Sequence, residues 1–262
     1  MSNDKVLYEA QGRVALITLN RPEARNAVNG DVAEAMEAAI DQMEADPNVW
    51  VGVLRANTEG QANPVFCAGA DLKEVNAGNA RDLSTPRGGF GGIAHRDRRK
   101  PIVIAVDGLA TAGGCEILLS CDIVVATTRS AFGLAEVKRN LIAGAGGLYR
   151  LPRAIGRSTA MWAILTGEPI TAERAYQLGL VTSLVEPGQA EAEASRIAEQ
   201  IAAAAPLAVY ASRQVVIDAG WDTDENLQKL TGRLFTEVLA SEDTKEGLTA
   251  FIEKRPPNWK GC

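Results

Sequence analysis

In the run VDGLATAGGCEILLSCDIVVA (106–126), Glu116 follows the pair Gly113-Gly114 inside an otherwise apolar stretch. A carboxylate buried without partners is costly, so Glu116 is either turned to solvent or kept for a purpose. The local pattern alone favours the solvent-facing reading, because acids suit the first turn of a helix. Two glycine-containing segments offer a possible second component of a site. PVFCAGADLKE (64–74) and LATAGGCEILL (109–119) each end an expected strand and open an expected helix. Small residues let a ligand approach the main chain, and helix N-termini present unpaired N–H groups. Two such ends converging on one oxygen would make an oxyanion hole. Taken singly, each segment reads first as a tight turn.

Other chemistries lose their signatures. GFGGIA (89–94) fits G-x-G-x-x-A, but no strand precedes it, and GAGGLY (144–149) has Tyr149 at the third glycine position. No phosphate-binding G-x-x-x-x-G-K-[ST] occurs. HRD (95–97) matches part of a kinase catalytic loop, yet Ile102 stands where the metal-binding asparagine belongs. GRSTA (156–160) nearly forms a nucleophile elbow, but His95, the only histidine, lies upstream and breaks the order of that triad. What remains is acid–base chemistry by carboxylates, with oxyanions held by backbone amides.

The elements that must position these groups alternate at first. KVLYEA and VALITL flank Gln11-Gly12 as a hairpin, and Asn29 caps a helix with Val32, Met36, Ala39, Ile40 and Met43 on one face. VWVGVLRA (49–56), PIVIAV (101–106) and DIVVAT (122–127) read as buried strands of β/α units. From about Thr171 the pattern is almost continuously helical, with many alanines that suit close packing. Residues 76–100 are rich in glycine and charge and are expected to form a mobile surface segment.

Bulk properties narrow the class further. The 262 residues, 46% hydrophobic and 23% charged, suit a globular chain with a substantial core. A net charge of -6 argues against a nucleic-acid partner. Cys67, Cys115, Cys121 and Cys262 form no C-x-x-C, so no metal site is expected. The scattered cysteines fit a reducing compartment. No signal-like start and no membrane-spanning run is read, and the expected location is the cytoplasm.

Six segments in order resemble the crotonase (enoyl-CoA hydratase/isomerase) superfamily over nearly the whole chain. They are ITLNRPEARNAV (17–28), FCAGADLKE, GGCEILLSCDIVVAT, FGLAEVKRNLIAGAGGLYRLPRAIG, LTGEPITAERAYQLGLV and SEDTKEGLTAFIEKRPPNWKG. The resemblance implies an α/β fold, a spiral of β-β-α units over residues 1–200, with a helical trimerisation region over 201–262. It implies a homotrimer or homohexamer, and an acyl-CoA thioester as substrate with no separate cofactor.

By motif position, Glu116 and Glu136 correspond to the two acid–base glutamates of hydratases, and the amides of Ala70 and Gly113 to the oxyanion hole. Ala24, Arg25, Ala68, Asp71, Leu72 and Gly114 would bind substrate. Phe251 and Lys254 would reach the adenine end of the CoA, that of a neighbouring subunit. The implied reaction adds water to a 2-enoyl thioester, Glu116 activating the water and Glu136 delivering the proton. Carnitinyl-CoA dehydration is the close alternative, double-bond isomerisation fits less well because Glu116 is kept, and a scaffold without turnover is the non-enzyme alternative. Thr111, Ala112 and Ala143 depart from the family pattern near the acyl pocket, whose end residues 76–100 are expected to shape.

Overall fold

A computed structural model describes residues 4–262. The chain opens with the hairpin β1 (Val6–Gln11) and β2 (Val14–Leu19), paired antiparallel from Val6↔Leu19 to Gln11↔Val14. Gly12 supplies the positive φ of the turn, at +59°. Helix α1 (Gly30–Ala45) follows, its Asn29 side chain accepting from Val32 N–H at 3.1 Å. Its buried face is Val32, Ala33, Met36, Ala39, Ile40 and Met43, the stripe that the helical period requires.

The chain then winds through repeating units. The first is β3 (Val51–Ala56), β4 (Val65–Cys67) and α2 (Leu72–Asn76). A two-stranded ribbon, β5 (Ser84–Thr85) and β6 (Gly89–Phe90), precedes the next. The second unit is β7 (Ile102–Val106), β8 (Leu109–Thr111) and α3 (Gly113–Leu118). The third is β9 (Ile123–Thr127), β10 (Ala131–Gly133), α4 (Gly147–Ile155) and α5 (Arg157–Thr166). Then come β11 (Ile170–Thr171), α6 (Ala172–Gln177), β12 (Ser183–Val185) and α7 (Ala190–Ala202).

Each turn gives one strand to a six-stranded sheet, β1-β2-β3-β7-β9-β12, and one to a four-stranded sheet, β11-β10-β8-β4. Successive turns pair in parallel, β3 with β7 and β7 with β9, β4 with β8 and β8 with β10. This is a spiral of β-β-α units. Because both faces of the larger sheet are covered, β2 and β7 are buried at every position and read as unbroken apolar runs. On the outer face Ala190, Ala194 and Ala198 of α7 pack against Val51, Val53, Val103 and Val125. Position 200, the expected boundary, therefore falls inside a helix that lies on the sheet.

The remaining helices are α8 (Pro206–Asp218), α9 (Asp224–Leu239) and α10 (Glu242–Glu253). Arg213 anchors α8 to the spiral, its Nε donating to Asp122 at 2.9 Å and its Nη1 to the Arg98 carbonyl at 2.6 Å.

From Leu83 onward, residues 76–100 correct the expectation of a mobile surface segment, while 76–82 lie at the surface. Leu83, Ile93, Ala94, Arg98 and Lys100 are buried. Glu37 accepts from Thr85 Oγ1 at 2.5 Å and Gly88 N–H at 2.7 Å, and Asp41 pairs with Arg87 and Arg96. Lys100 Nζ donates to the carbonyls of Met43, Glu44 and Asp46, closing the end of α1. The charges that suggested a solvated loop are the groups that fasten it to α1.

Candidate active site

The NRPEARNAV turn carries two successive non-glycine residues at positive φ, Arg25 at 54° and Asn26 at 53°. Asn26 is wholly buried and stabilises this conformation through its side chain, donating to Asn57 O at 2.8 Å and accepting from Arg21 N–H at 2.9 Å. The turn thereby lays Ala24 and Arg25 along a cleft of about 860 Å³.

Val28 next bridges to the β4–α2 loop. Its N–H donates to Gly69 O and its carbonyl accepts from Asp71 N–H, both at 2.8 Å. In a parallel bridge of this kind the amide of the intervening residue, Ala70, faces away from Val28. Gly113 begins α3, where an N–H has no intrahelical carbonyl to meet. The two segments touch, because a Cβ on Gly69 would lie 2.8 Å from Gly113 N. Ala112, between β8 and α3, holds φ 50° and ψ -128°, a conformation costly for any residue with a Cβ.

Glu116 is buried, with 3% exposure, against the solvent-facing reading that its local sequence favours. Its Oε1 accepts two backbone amides, Ala145 at 2.7 Å and Gly147 at 2.9 Å. Burial pushes its carboxyl up to about 7 and the charge of Glu136 adds to this, while the two amides and Arg150 pull the other way. Glu136 opens a short 3-10 turn over Glu136–Arg139, and burial raises its pKa too. Its Oε2 is buried with no hydrogen-bond partner.

Ala24, Arg25, Ala68, Ala70, Asp71, Leu72, Gly113, Glu116 and Glu136 all line this one cleft. Three expected residues do not. Gly114 lies beneath it, and a Cβ there would sit 2.2 Å from Cys67 O, so the residue lets α3 pack on β4. Phe251 is 84% exposed on α10, and Lys254 caps that helix at φ 58°; neither reaches the cleft of its own chain.

The structure adds groups that the sequence did not single out for the site. Arg21 Nη1 donates to Asp71 Oδ2 at 2.7 Å and to Ala27 O at 3.0 Å. Burial raises the Asp71 carboxyl, but the Arg21 hydrogen bond and the Lys73 amide outweigh it and hold the group low. Asp71 is thus a fastening beside Ala70 as well as a cleft residue. Phe90, His95, Leu141 and Ile142 also line the cleft. Only the placement of residues 76–100 near the acyl end hinted at the first two. Among the described residues no group of three His, Cys, Asp or Glu side chains could hold a metal ion, and no helix is long and apolar enough to cross a membrane.

Two raised carboxyls on one cleft, beside two strand-to-helix turns of a β-β-α spiral, suit an enzyme that works by acid–base chemistry. The comparisons make the class specific. Residues 9–262 match the model of the enoyl-CoA hydratase/isomerase family. A probable enoyl-CoA hydratase of Rhizobium meliloti is 39% identical, with 99% of each chain covered. A short-chain-enoyl-CoA hydratase of Clostridium acetobutylicum is 37% identical, with 97% of each covered. An enoyl-CoA hydratase crystal structure from Mycobacterium marinum superimposes with a TM-score of 0.92 at 41% identity, covering 99% of this chain and 100% of that one. The chain belongs to the enoyl-CoA hydratase/isomerase family and has its crotonase fold.

Proposed function

We propose that the cleft adds water reversibly across the double bond of a 2-enoyl-CoA to give a 3-hydroxyacyl-CoA. The observation that carries the residue assignment is the unequal pair on one cleft: Glu116 gripped by two amides, and Glu136 with a buried unpartnered oxygen. Amide donors favour the ionised form of a carboxyl, which suits Glu116 to take a proton from water. Glu136, raised by burial and lacking a donor at Oε2, suits delivery of a proton to the α-carbon. Charge that develops on the thioester oxygen is met by the amides of Ala70 and Gly113, and one such donor is typically worth about 10²–10³ in rate. Because the two carboxyls interact, their titration belongs to the pair.

The same reading assigns the CoA groove to Ala24, Arg25, Ala68, Asp71 and Leu72, with no cofactor beyond the substrate's own CoA. It assigns assembly into a homotrimer or homohexamer to the helices of 201–262, with Phe251 and Lys254 offered to a neighbour's CoA. The free state of all four cysteines supports a reducing, cytoplasmic setting. The test is turnover of crotonyl-CoA, followed by loss of enoyl absorbance and identification of 3-hydroxybutyryl-CoA. Hydration is expected. Binding of 2-enoyl-CoA esters across a chain-length panel without hydration of any would overturn the proposal.

A further inference from the structure

The GFGGIA segment, which has no nucleotide role, builds one end of the cleft. Its first two residues form β6, with Phe90 opposite Ser84 and Gly89 opposite Thr85. The turn closes through His95 N–H to Gly88 O at 2.8 Å and Ala94 N–H to Phe90 O at 3.1 Å. The glycines here are close-packed: a Cβ on Gly88, just before the segment, would lie 2.1 Å from Gly92 O, and one on Gly92 would lie 2.2 Å from Ala33 O. With Thr85 and Gly88 both bonded to Glu37, Phe90 stands on a fixed seat.

The edge of the Phe90 ring lies against Gly113, where an added Cβ would come 2.4 Å from Cε1 and Cζ. His95 follows, with Nε2 3.3 Å from the Tyr149 hydroxyl. It lines both the main cleft and a second cavity of about 650 Å³ bordered by Arg150, Arg153 and Trp221. Phe90 lines the first of these cavities and not the second.

Given the proposed hydratase reading, on which this rests, Gly113 fixes the thioester carbonyl and the groove by Arg25 and Leu72 takes the CoA. The acyl chain then runs toward Phe90 and His95. We propose that Phe90, set against Gly113 and backed by His95, is the wall of the acyl site and restricts the enzyme to short 2-enoyl groups. The glycine-rich segment is the mounting of that wall.

The test compares wild type with Phe90→Ala and Phe90→Leu. Calorimetry gives Kd for butyryl-, hexanoyl- and decanoyl-CoA, and kinetics gives kcat/KM for crotonyl-, hexenoyl- and decenoyl-CoA. A methylene admitted to an apolar site strengthens binding roughly fourfold. In wild type the gain should stop at hexanoyl-CoA. In Phe90→Ala it should continue to decanoyl-CoA, improving that ester by about tenfold or more relative to butyryl-CoA. Phe90→Leu should fall between, and it decides the matter if the alanine variant does not fold. Wild-type affinity that climbs steadily to decanoyl-CoA, or variants with the wild-type chain-length ladder, would overturn the wall. Calorimetry involves no turnover, so a wild type that binds these esters but hydrates none sinks the hydratase reading and still reports on Phe90.

Discussion

The spiral and the C-terminal helices differ in how much of their apolar surface their own chain buries. In the spiral, Met36, Phe66, Ile117 and Phe132 are fully buried; from α8 onward Val216, Trp221, Phe235, Leu239, Leu248, Phe251 and Ile252 stand exposed. Helix α9 buries no residue at all, although its apolar positions recur at helical spacing. The spiral builds a closed core, with Ile142, Trp162 and Leu165 left exposed outside it, and fixes Glu116 to backbone amides within one chain. The C-terminal helices present a large apolar face that nothing in the same chain covers, the signature of an interaction surface. The proposed chemistry and the proposed assembly thus fall in different regions, so variants should separate them.

The largest effects should come from the spiral. Glu116→Gln and Glu136→Gln should each lower kcat by about 10²–10⁴, the range for losing a general acid or base. Binding of CoA esters should change little, and the oligomer should persist by sedimentation. The glutamine at 116 retains an oxygen for the Ala145 and Gly147 amides, so its loss of rate reports the proton and not the fold. Near-normal hydration by either variant would remove that residue from the mechanism.

Burial of Glu116 also ties stability to pH. Its folded-state pKa is about 7, above the unfolded value of about 4.3. The folded state thus binds more proton between these values. The stabilisation is fully present below the unfolded pKa and is lost as pH rises through 7. At about 1.4 kcal/mol per unit, this component is on the order of 4 kcal/mol. Glu116→Gln should lack it, so denaturant titrations at pH 5 and pH 8 should show the variant gaining on wild type at the higher pH. Parallel pH dependences in the two proteins would contradict the burial argument. Activity should move the other way, since a base at 116 is lost as pH falls through 7.

How these features could be read beforehand differs between the regions. The cap at Asn29 and the helix start at Gly113 were legible because each works through local geometry. The burial of Glu116 was not legible locally, because its amide partners lie 29 and 31 residues further along the chain. The packing of 76–100 was hidden for the same reason, as it depends on Glu37 and Asp41 of α1. Gly114 was read as a substrate contact, yet its closest constraint is the Cys67 carbonyl underneath. Phe251 and Lys254 lie where sequence order brings no cleft residue against them, and their proposed role depends on a second chain.

A smaller effect tests how rigidly the spiral holds its site. Ala112 keeps φ 50° and ψ -128° beside Gly113, a conformation natural to glycine. Ala112→Gly should release strain of about 1–3 kcal/mol and lose part of it to the greater freedom of the unfolded chain. The net expectation is stabilisation on the order of 1 kcal/mol with kcat within about twofold. Thermal and denaturant unfolding would measure the first, and crotonyl-CoA turnover the second. A destabilised variant would mean that the alanine methyl makes contacts worth more than the strain it causes.

The smallest effect belongs to the other region. Lys254 ends α10 outside the cleft of its own chain, and under the proposed assembly its ammonium meets phosphate on a neighbour's CoA. Such a contact is made equally in the ground and transition states, so Lys254→Ala should raise KM and leave kcat nearly unchanged. An exposed ion pair contributes about 0.2–1 kcal/mol, which limits the rise to about fivefold at low salt. Added salt should shrink the difference as screening grows. The decisive control is dilution: the KM difference should vanish once the oligomer dissociates, because no Lys254 then faces a cleft. A KM identical to wild type at low salt in the assembled protein would confine the whole site to the spiral. A difference that survives dissociation would place Lys254 against its own chain's substrate, and the division of labour between the two regions would have to be redrawn.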